Sequence, residues 1–219
     1  MAKRPIRRGI DDPTGPIRDA IIGGSFLPNE RLIEEDLVRR FKANRGAVRL
    51  ALARLEQEGL VVREPNRGAR VRLVAGKEAV EIMEARAMLE ALVARHAAIK
   101  LTQQDLRNLH AILRELKSLI AEGDMIGYSG ANMRLHTAIV DIADHATAAR
   151  LLLGLRAQSV IFQYRQTLQP GRVEELMHEH EALVQALASR DPDAAEKAMR
   201  SHLDNAADTL KGRLQHGSS

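Results

Sequence analysis

Three histidines in the carboxyl-terminal part of the chain fall on the apolar faces of three predicted helices. His136, His180 and His202 are each in phase with the aliphatic residues of their own helix, so their rings should point into one core. Asn132 precedes His136 by one helical turn and projects from the same face. Imidazole nitrogens and a neighbouring oxygen are the ligands that a divalent first-row metal takes. The pattern predicts a metal site with Zn²⁺ favoured and Ni²⁺ or Mn²⁺ as alternatives.

Two other interpretations of these histidines stay open. In the first, they are three core residues, each satisfied by its own hydrogen bond. In the second, the metal is catalytic, and the chain is a helical-bundle metalloenzyme tethered to a basic domain. A catalytic metal requires a general base beside it. Glu179 and Glu181 flank His180 but should point off its face, so the pattern does not supply a base and favours a protein that is not an enzyme.

A second group of residues suited to chemistry lies nearer the amino terminus. Arg45 and Arg49 are four residues apart and share one face of a predicted helix whose other face is apolar. Gly59 ends this helix, and two short strands follow, joined by a turn that contains Arg67 and Gly68. This is the layout of a winged helix-turn-helix, which places the helix in the DNA major groove and the turn near the backbone or minor groove. The alternative is a small α+β subdomain with solvated arginines.

Charge and composition support a nucleic-acid partner at one end only. Residues 1–76 contain 16 Lys and Arg against 10 Asp and Glu, whereas the remainder contains 17 against 19. Aromatic residues make up 2% of the chain and there is no cysteine. The core must therefore be aliphatic, which favours packed helices, and thiolate metal sites and disulfides are excluded. The sequence has neither a secretory signal nor a run long enough to span a bilayer, so we expect a cytoplasmic protein without a membrane partner.

The elements that position these residues can be read from periodicity and stop signals. A first helix is predicted at about 14–23 and a second at 34–41; a tight turn and the cap Asn44 then lead into the arginine-bearing helix. From Lys77 onward the pattern is helical almost without interruption. Six helices are predicted, at about 77–99, 103–121, 125–143, 146–168, 172–189 and 192–213. The fold class is mainly α, with a winged helix-turn-helix at 1–75 and an all-α antiparallel six-helix bundle at 76–219.

Motif residues run through the amino-terminal region. They are Pro28, Leu32, Leu37, Arg45, Val48-Arg49, Ala51-Leu52, Leu55, Glu58-Gly59-Leu60, Arg67-Gly68 and Val71. From about Pro16 to Val74 the chain thereby resembles the winged-helix domain of the GntR family of bacterial transcription regulators. It departs from that pattern with Asn29 for glycine, Asn44 for serine, Gly46-Ala47 for a Thr-Pro-like pair and Leu50 for glutamate. The resemblance implies DNA contacts from Asn44, Arg45, Gly46, Arg49, Arg67 and Gly68.

The metal candidates stand in three short motifs. These are Asn132-Met-Arg-Leu-His136, Glu179-His180-Glu-Ala-Leu183 and Met199-Arg-Ser-His202-Leu203. They resemble the metal motifs of the FCD ligand-binding domain, which follows the winged helix in one GntR branch, and six helices resemble its VanR-like form. Asn132 stands where that family usually has aspartate, and a neutral amide is a weaker ligand.

An inward-facing arginine in the first bundle helix is a candidate for binding the ligand. Arg86 lies in the apolar stripe, where it is costly unless paired, and Glu90 could pair with it internally. The segment Glu84-Ala-Arg86-Ala-Met-Leu-Glu90 also resembles an FCD motif, which implies that the arginine reaches an effector pocket. Arg134 and Tyr164 are further candidates. The resemblance implies a homodimeric regulator, in most relatives a repressor, that binds double-stranded operator DNA and responds to a small carboxylate-bearing effector.

Overall fold

The computed structural model describes residues 10–22, 24–64, 68–74, 76–163 and 172–216. These residues form two compact units that divide after Val74. The prediction of a mainly α chain, with an amino-terminal winged helix-turn-helix and a helical bundle, is confirmed.

The first unit combines three helices with a small sheet. The helices are α1 Thr14–Ile22, α2 Glu34–Phe41 and α3 Arg45–Gln57, and the strands are β1 Arg31–Leu32, β2 Val61–Glu64 and β3 Gly68–Val71. The strands are antiparallel, in the order β1-β3-β2. The hairpin β2–β3 was predicted, but β1 was not, because two residues are too few to show the alternation that marks a strand.

The turn before β1 explains one departure from the family pattern. Asn29 has φ 66°, a left-handed conformation that glycine adopts without strain and asparagine tolerates better than most residues. Its backbone N–H donates to the carbonyl of Val71 at 3.0 Å. Asparagine therefore replaces glycine here while the turn keeps its contact with the end of β3.

The second unit contains six helices in its described part. They are α4 Lys77–Lys100, α5 Gln103–Glu122, α6 Met125–Ala143, α7 Ala146–Gln163, α8 Arg172–Ala188 and α9 Pro192–His216. Their starts follow the sequence signals; α5, for example, begins with a capping box between Thr102 and Asp105. The predicted helix at 146–168 is observed to Gln163, and its remaining predicted residues lie outside the described ranges.

Helix α4 forms the centre of this bundle. It packs against α6, α7, α8 and α9, and its buried face includes Arg86 and Glu90 as well as aliphatic residues. Because α4 contacts the helices that carry all three candidate histidines, it sets the spacing between them. None of the helices that the structure describes is long and apolar enough to cross a membrane.

Candidate functional site

Helix α3 presents two arginines from a capped amino terminus. The Asn44 side chain accepts a hydrogen bond from the backbone N–H of Ala47 at 2.8 Å, so it caps the helix as predicted. A Cβ at Gly46 would lie only 3.3 Å from the Asn44 Oδ1, so the small residue leaves this cap undisturbed. Arg45 and Arg49 are both exposed, whereas Val48 and Leu52 are buried on the other face. The helix therefore has the solvent-facing arginines that DNA recognition requires.

These arginines line a concave surface that also carries acidic residues. The groove has a volume of about 850 Å³. Its charged walls are Arg31, Arg45, Arg49, Arg63, Glu34, Glu35, Glu56 and Glu64. Arg49 donates from Nε to Glu34 Oε2 at 2.8 Å, and Arg63 donates from Nε to Glu56 Oε2 at 2.6 Å. In the free protein, part of the positive charge of this groove is thus already paired with carboxylates.

The wing depends on a glycine at the start of β3. Gly68 has φ 86°, and a Cβ on it would lie 2.7 Å from the carbonyl oxygen of Leu32. Any other residue would therefore combine a strained backbone with a steric clash against β1. The predicted contact residue Arg67 lies outside the described residues.

His136, His180 and His202 come together in the core of the second unit. One ligand atom from each lies within 4.8 Å of the others. The ring centroids of His136 and His202 are 5.2 Å apart, and those of His180 and His202 are 4.7 Å apart. All three residues are buried, as their phase predicted. Helices α6, α8 and α9 thus place three imidazoles around one point.

Two of the three rings are held by carboxylates. Nδ1 of His136 contacts Glu90 Oε2 at 2.7 Å, and Nδ1 of His202 contacts Glu179 Oε2 at 2.7 Å. A carboxylate on Nδ1 fixes that nitrogen as the proton carrier, which leaves Nε2 with its lone pair. This is the arrangement in which histidine binds a metal through Nε2.

The third ring lacks such a contact. Both nitrogens of His180 are buried, and no described residue makes a hydrogen bond to either. The same is true of Asn132 Oδ1. A buried polar atom without a partner costs about 1–3 kcal/mol, so separately satisfied core histidines do not account for this arrangement. Three imidazoles and an amide oxygen fit the donor set of a divalent metal, and the cluster suggests a metal site.

The protonation states also suit metal binding. Burial lowers the pKa of His136 to about 4, although Glu90 opposes this shift. Burial, together with the charges of the two other histidines, lowers the pKa of His180 well below its ordinary value. Both rings are therefore neutral near pH 7, as ligands must be. Burial alone would raise the pKa of Glu90, but Arg86, Arg156 and His136 lower it overall, so this carboxylate stays charged.

The predicted effector-binding residues do not share one environment in the structure. Arg86 is buried and donates from Nε to Glu90 Oε1 at 2.9 Å, which is the internal pair that the sequence left open. Arg134 is exposed, and its guanidinium contacts Glu115 of α5 at 2.5 Å. Tyr164 lies outside the described residues. Arg156, by contrast, reaches Glu90 through Nε at 3.1 Å and Nη2 at 2.7 Å.

Helical phase misjudged Glu179. It was expected to point away from the cluster because it precedes His180 by one residue, but α9 packs on that side of α8 and brings His202 to it. Sequence reasoning also missed Tyr128 and Arg172, whose side chains are buried. A signal for Tyr128 was available, since it lies four residues before Asn132 and eight before His136 on the same face of α6. Arg172 stands at a helix start, where periodicity carries little information.

This combination of a winged helix with a metal-suited helical bundle defines a DNA-binding transcription regulator, and comparison with known proteins identifies its family. Residues 15–71 match the model for bacterial regulatory proteins of the gntR family, and residues 81–205 match the FCD domain. The chain belongs to the GntR family, in the branch that carries an FCD effector-binding domain.

Individual relatives extend over nearly the whole chain. The HTH-type transcriptional repressor RspR of Escherichia coli (strain K12) is 26% identical over 215 residues, covering 94% of each protein. The HTH-type transcriptional regulator LutR of Bacillus subtilis (strain 168) is 29% identical over 219 residues, covering 89% of this chain and 98% of LutR. The relatives are transcription regulators, which confirms the prediction that the chain is not an enzyme.

A solved structure shares the fold. The structure of E. coli McbR/YncC is 22% identical, with a TM-score of 0.80, and the match covers 91% of this chain and 95% of that one.

Proposed function

We propose that the chain is a metal-containing repressor that binds operator DNA as a homodimer and releases it when a small carboxylate-bearing effector enters the bundle. The observation that carries this proposal is the histidine cluster. Two of its rings are oriented by Glu90 and Glu179, and the third, His180, has both nitrogens buried without a partner in the part of the chain that the structure describes. Repression is proposed because RspR, which is similar over most of the chain, is described as a repressor.

In this proposal the amino-terminal unit reads DNA through α3 and the wing. Arg45 and Arg49 reach base edges or phosphates in the major groove, and Asn44 and Gly46 shape the helix start that approaches the backbone. The wing residues Arg67 and Gly68 approach the minor groove. A bidentate arginine–guanine contact is worth about 1–3 kcal/mol of discrimination against another base. Two such contacts in each half-site would make a dimer selective.

The bundle would hold the metal through Nε2 of His136 and His202, one ring nitrogen of His180, and Asn132 Oδ1. Three imidazoles suit Zn²⁺ first, with Ni²⁺ and Mn²⁺ as alternatives. A bound metal offers a positive centre at which an organic acid can bind. Effector binding would then shift the population between two placements of the winged units, of which only one matches the half-site spacing.

An exposed apolar stripe on α4 supports the homodimer. Met88, Leu92 and Ile99 are 56%, 37% and 60% exposed, and helical geometry places them within about 40° of one another around the axis. A second copy of the chain would cover them. The substitution Leu92→Asp should shift the sedimentation behaviour toward a monomer, whereas Ile126→Asp, at an apolar residue of α6 that is 72% exposed, should not. A dimer that persists in the Leu92→Asp variant at all concentrations would contradict this face.

The proposal as a whole can be tested with two matched pairs of variants. His180→Ala should lose the metal that elemental analysis finds in the wild type, whereas His178→Ala, at an exposed histidine of the same helix, should keep it. Arg49→Ala should weaken binding to a duplex selected from a random pool by the wild type, whereas Arg54→Ala, on the opposite face of α3, should not. A metal-free wild type would refute the metal site. Operator affinity that no carboxylate changes, despite binding to the bundle, would refute the switch.

A further inference from the structure

A buried arginine near the histidine cluster has unused donors. Arg172, at the start of α8, is 6% exposed. Its Nη1 donates to Glu175 at 3.0 Å and to Glu179 at 3.1 Å. Its Nε and Nη2 are buried, and the described part of the chain provides neither with an acceptor. These two nitrogens form one edge of the guanidinium, the edge that presents two parallel N–H groups to a planar anion.

A tyrosine nearby has the same property. Tyr128 is 1% exposed, and its hydroxyl is buried with no hydrogen-bond partner among the described residues. Burial, with a smaller effect of the Glu179 charge, raises the pKa of Tyr128, and the charge of Arg172 opposes this. The phenol is therefore neutral and able to donate. The Nε and Nη2 donors of Arg172 and the hydroxyl of Tyr128 are thus buried without an acceptor among the described residues, which is costly unless something supplies one.

These donors lie beside the candidate metal ligands. Tyr128, Asn132 and His136 follow one face of α6 at intervals of four residues, which spans about 12 Å along the helix. Glu179 connects the two regions, because it accepts from Arg172 through Oε1 and contacts His202 through Oε2. One ligand of modest size could therefore reach both the metal position and Arg172.

We propose that Arg172 and Tyr128 form an anion subsite that binds the carboxylate of the effector, with the two carboxylate oxygens on Nε and Nη2 of Arg172 and the Tyr128 hydroxyl as a third donor. This inference rests on the proposed metal-containing, effector-responsive function. It assigns the carboxylate to residues that the sequence did not indicate, while Arg86, the sequence-based candidate, is engaged by Glu90.

The surroundings favour a ligand with one negative charge. Arg172 and Glu179 also line a surface pocket of about 560 Å³, whose other walls include Glu175 and Asp208. These carboxylates repel polyanions at the point of entry. Phosphate shares the oxyanion chemistry of a carboxylate but carries more charge near neutral pH, so a monocarboxylate such as acetate or L-lactate should bind better.

The test measures ligand binding by calorimetry and unfolding temperature on metal-loaded protein, with metal content determined for every sample. The probes are acetate, L-lactate, inorganic phosphate and the uncharged acetamide. The variants are Tyr128→Phe, Arg172→Lys and Arg172→Met. Arg107→Met is the control, since Arg107 is an exposed residue of α5 that contacts Gln104.

Tyr128→Phe should change both the stability of the ligand-free protein and its affinity for carboxylates. Removing a buried hydroxyl that has no partner among the described residues should raise the unfolding temperature of the ligand-free protein. Carboxylate binding should weaken about tenfold, as for the loss of a hydrogen bond to a charged group. A purely structural tyrosine would not give both changes. Arg172→Lys retains the charge but lacks the planar edge, and Arg172→Met lacks both, so binding should weaken further in that order. Arg107→Met should bind as the wild type does.

Several results would overturn the assignment. Unchanged carboxylate affinity in Tyr128→Phe and the Arg172 variants would exclude these residues, and failure of every carboxylate to bind metal-loaded wild type would exclude the subsite. Binding of phosphate in preference to acetate and L-lactate would exclude a monocarboxylate. A wild type that takes up no metal would instead contradict the proposed function. In that case a higher unfolding temperature of Tyr128→Phe would still show that the buried hydroxyl lowers the stability of the protein.

Discussion

Replacing Glu90 by glutamine should destabilise the helical unit far more than its single change of charge suggests. The Glu90 side chain is fully buried and is the shared partner of three groups. Oε1 accepts from Arg86, and Oε2 accepts from Arg156 Nη2 at 2.7 Å and contacts His136 Nδ1 at 2.7 Å. Glutamine keeps the size but removes the negative charge, and it turns one oxygen into a donor that faces guanidinium groups.

The magnitude follows from what the substitution leaves behind. Arg86 is 3% exposed and cannot turn to water, so it would keep a buried charge without a counter-ion. Removing one partner of a buried ion pair costs about 3–5 kcal/mol. For a unit of this size, 1 kcal/mol corresponds to roughly 2–4 °C in unfolding temperature. The expected loss for Glu90→Gln is therefore about 6–20 °C.

Urea and thermal unfolding followed by circular dichroism would measure this loss. Glu84→Gln is the matched control on the same helix: its pair with Lys211 is exposed, and such a pair contributes at most about 1 kcal/mol. The double variant Arg86→Met/Glu90→Gln should recover part of the stability, because it removes the uncompensated charge. A Glu90→Gln variant within about 1 kcal/mol of the wild type would refute the reasoning, as would a double variant less stable than the single one.

Three further predictions concern metal and DNA. Asn132→Asp should raise metal affinity, measured by competition with a coloured chelator, because a carboxylate adds negative charge to the ligand set; unchanged affinity would remove Asn132 from the site. Glu34→Gln should free Arg49 and remove a charge that repels phosphate, so affinity for random-sequence duplex should rise. The slope of log affinity against log salt concentration should steepen by about 0.9. An unchanged slope would place Glu34 outside the interface. Gly68→Ala should weaken operator binding in gel shifts while α3 keeps its structure, because the Cβ forces β3 away from β1; full affinity would show that the wing tolerates this shift.

The sequence predicted the helices and the histidine cluster well, for a physical reason. A histidine in phase with an aliphatic stripe must share its burial, so the inward direction of His136, His180 and His202 follows from periodicity within each helix. The prediction that the three rings meet at one point also depended on the motif resemblance, because helical phase alone does not say which helices are neighbours.

What the sequence could not supply is the pairing between helices. Glu179 appeared to face away because its direction was judged on α8 alone, yet α9 lies there. Arg86 could have faced a ligand or Glu90, and only the packing of α4 shows the internal pair. Arg172 is the first residue of α8, so its burial depends on neighbouring helices that periodicity does not describe. Contacts across helices decide each of these cases.

The carboxylates in the groove beside α3 also bear on how fast the protein finds its operator. Long-range attraction to DNA depends on the net charge that a surface presents, and it speeds association and lengthens non-specific residence. Arg49 and Arg63 are already paired with Glu34 and Glu56, so random DNA meets a partly neutralised surface. Contacts in which these arginines exchange their carboxylate partners for DNA form only when the DNA is close to the protein. Such a surface lowers the rate of the first encounter with DNA and shortens residence on non-operator sequences. More of the search time is then spent at sites where the arginines can exchange their carboxylate partners for DNA.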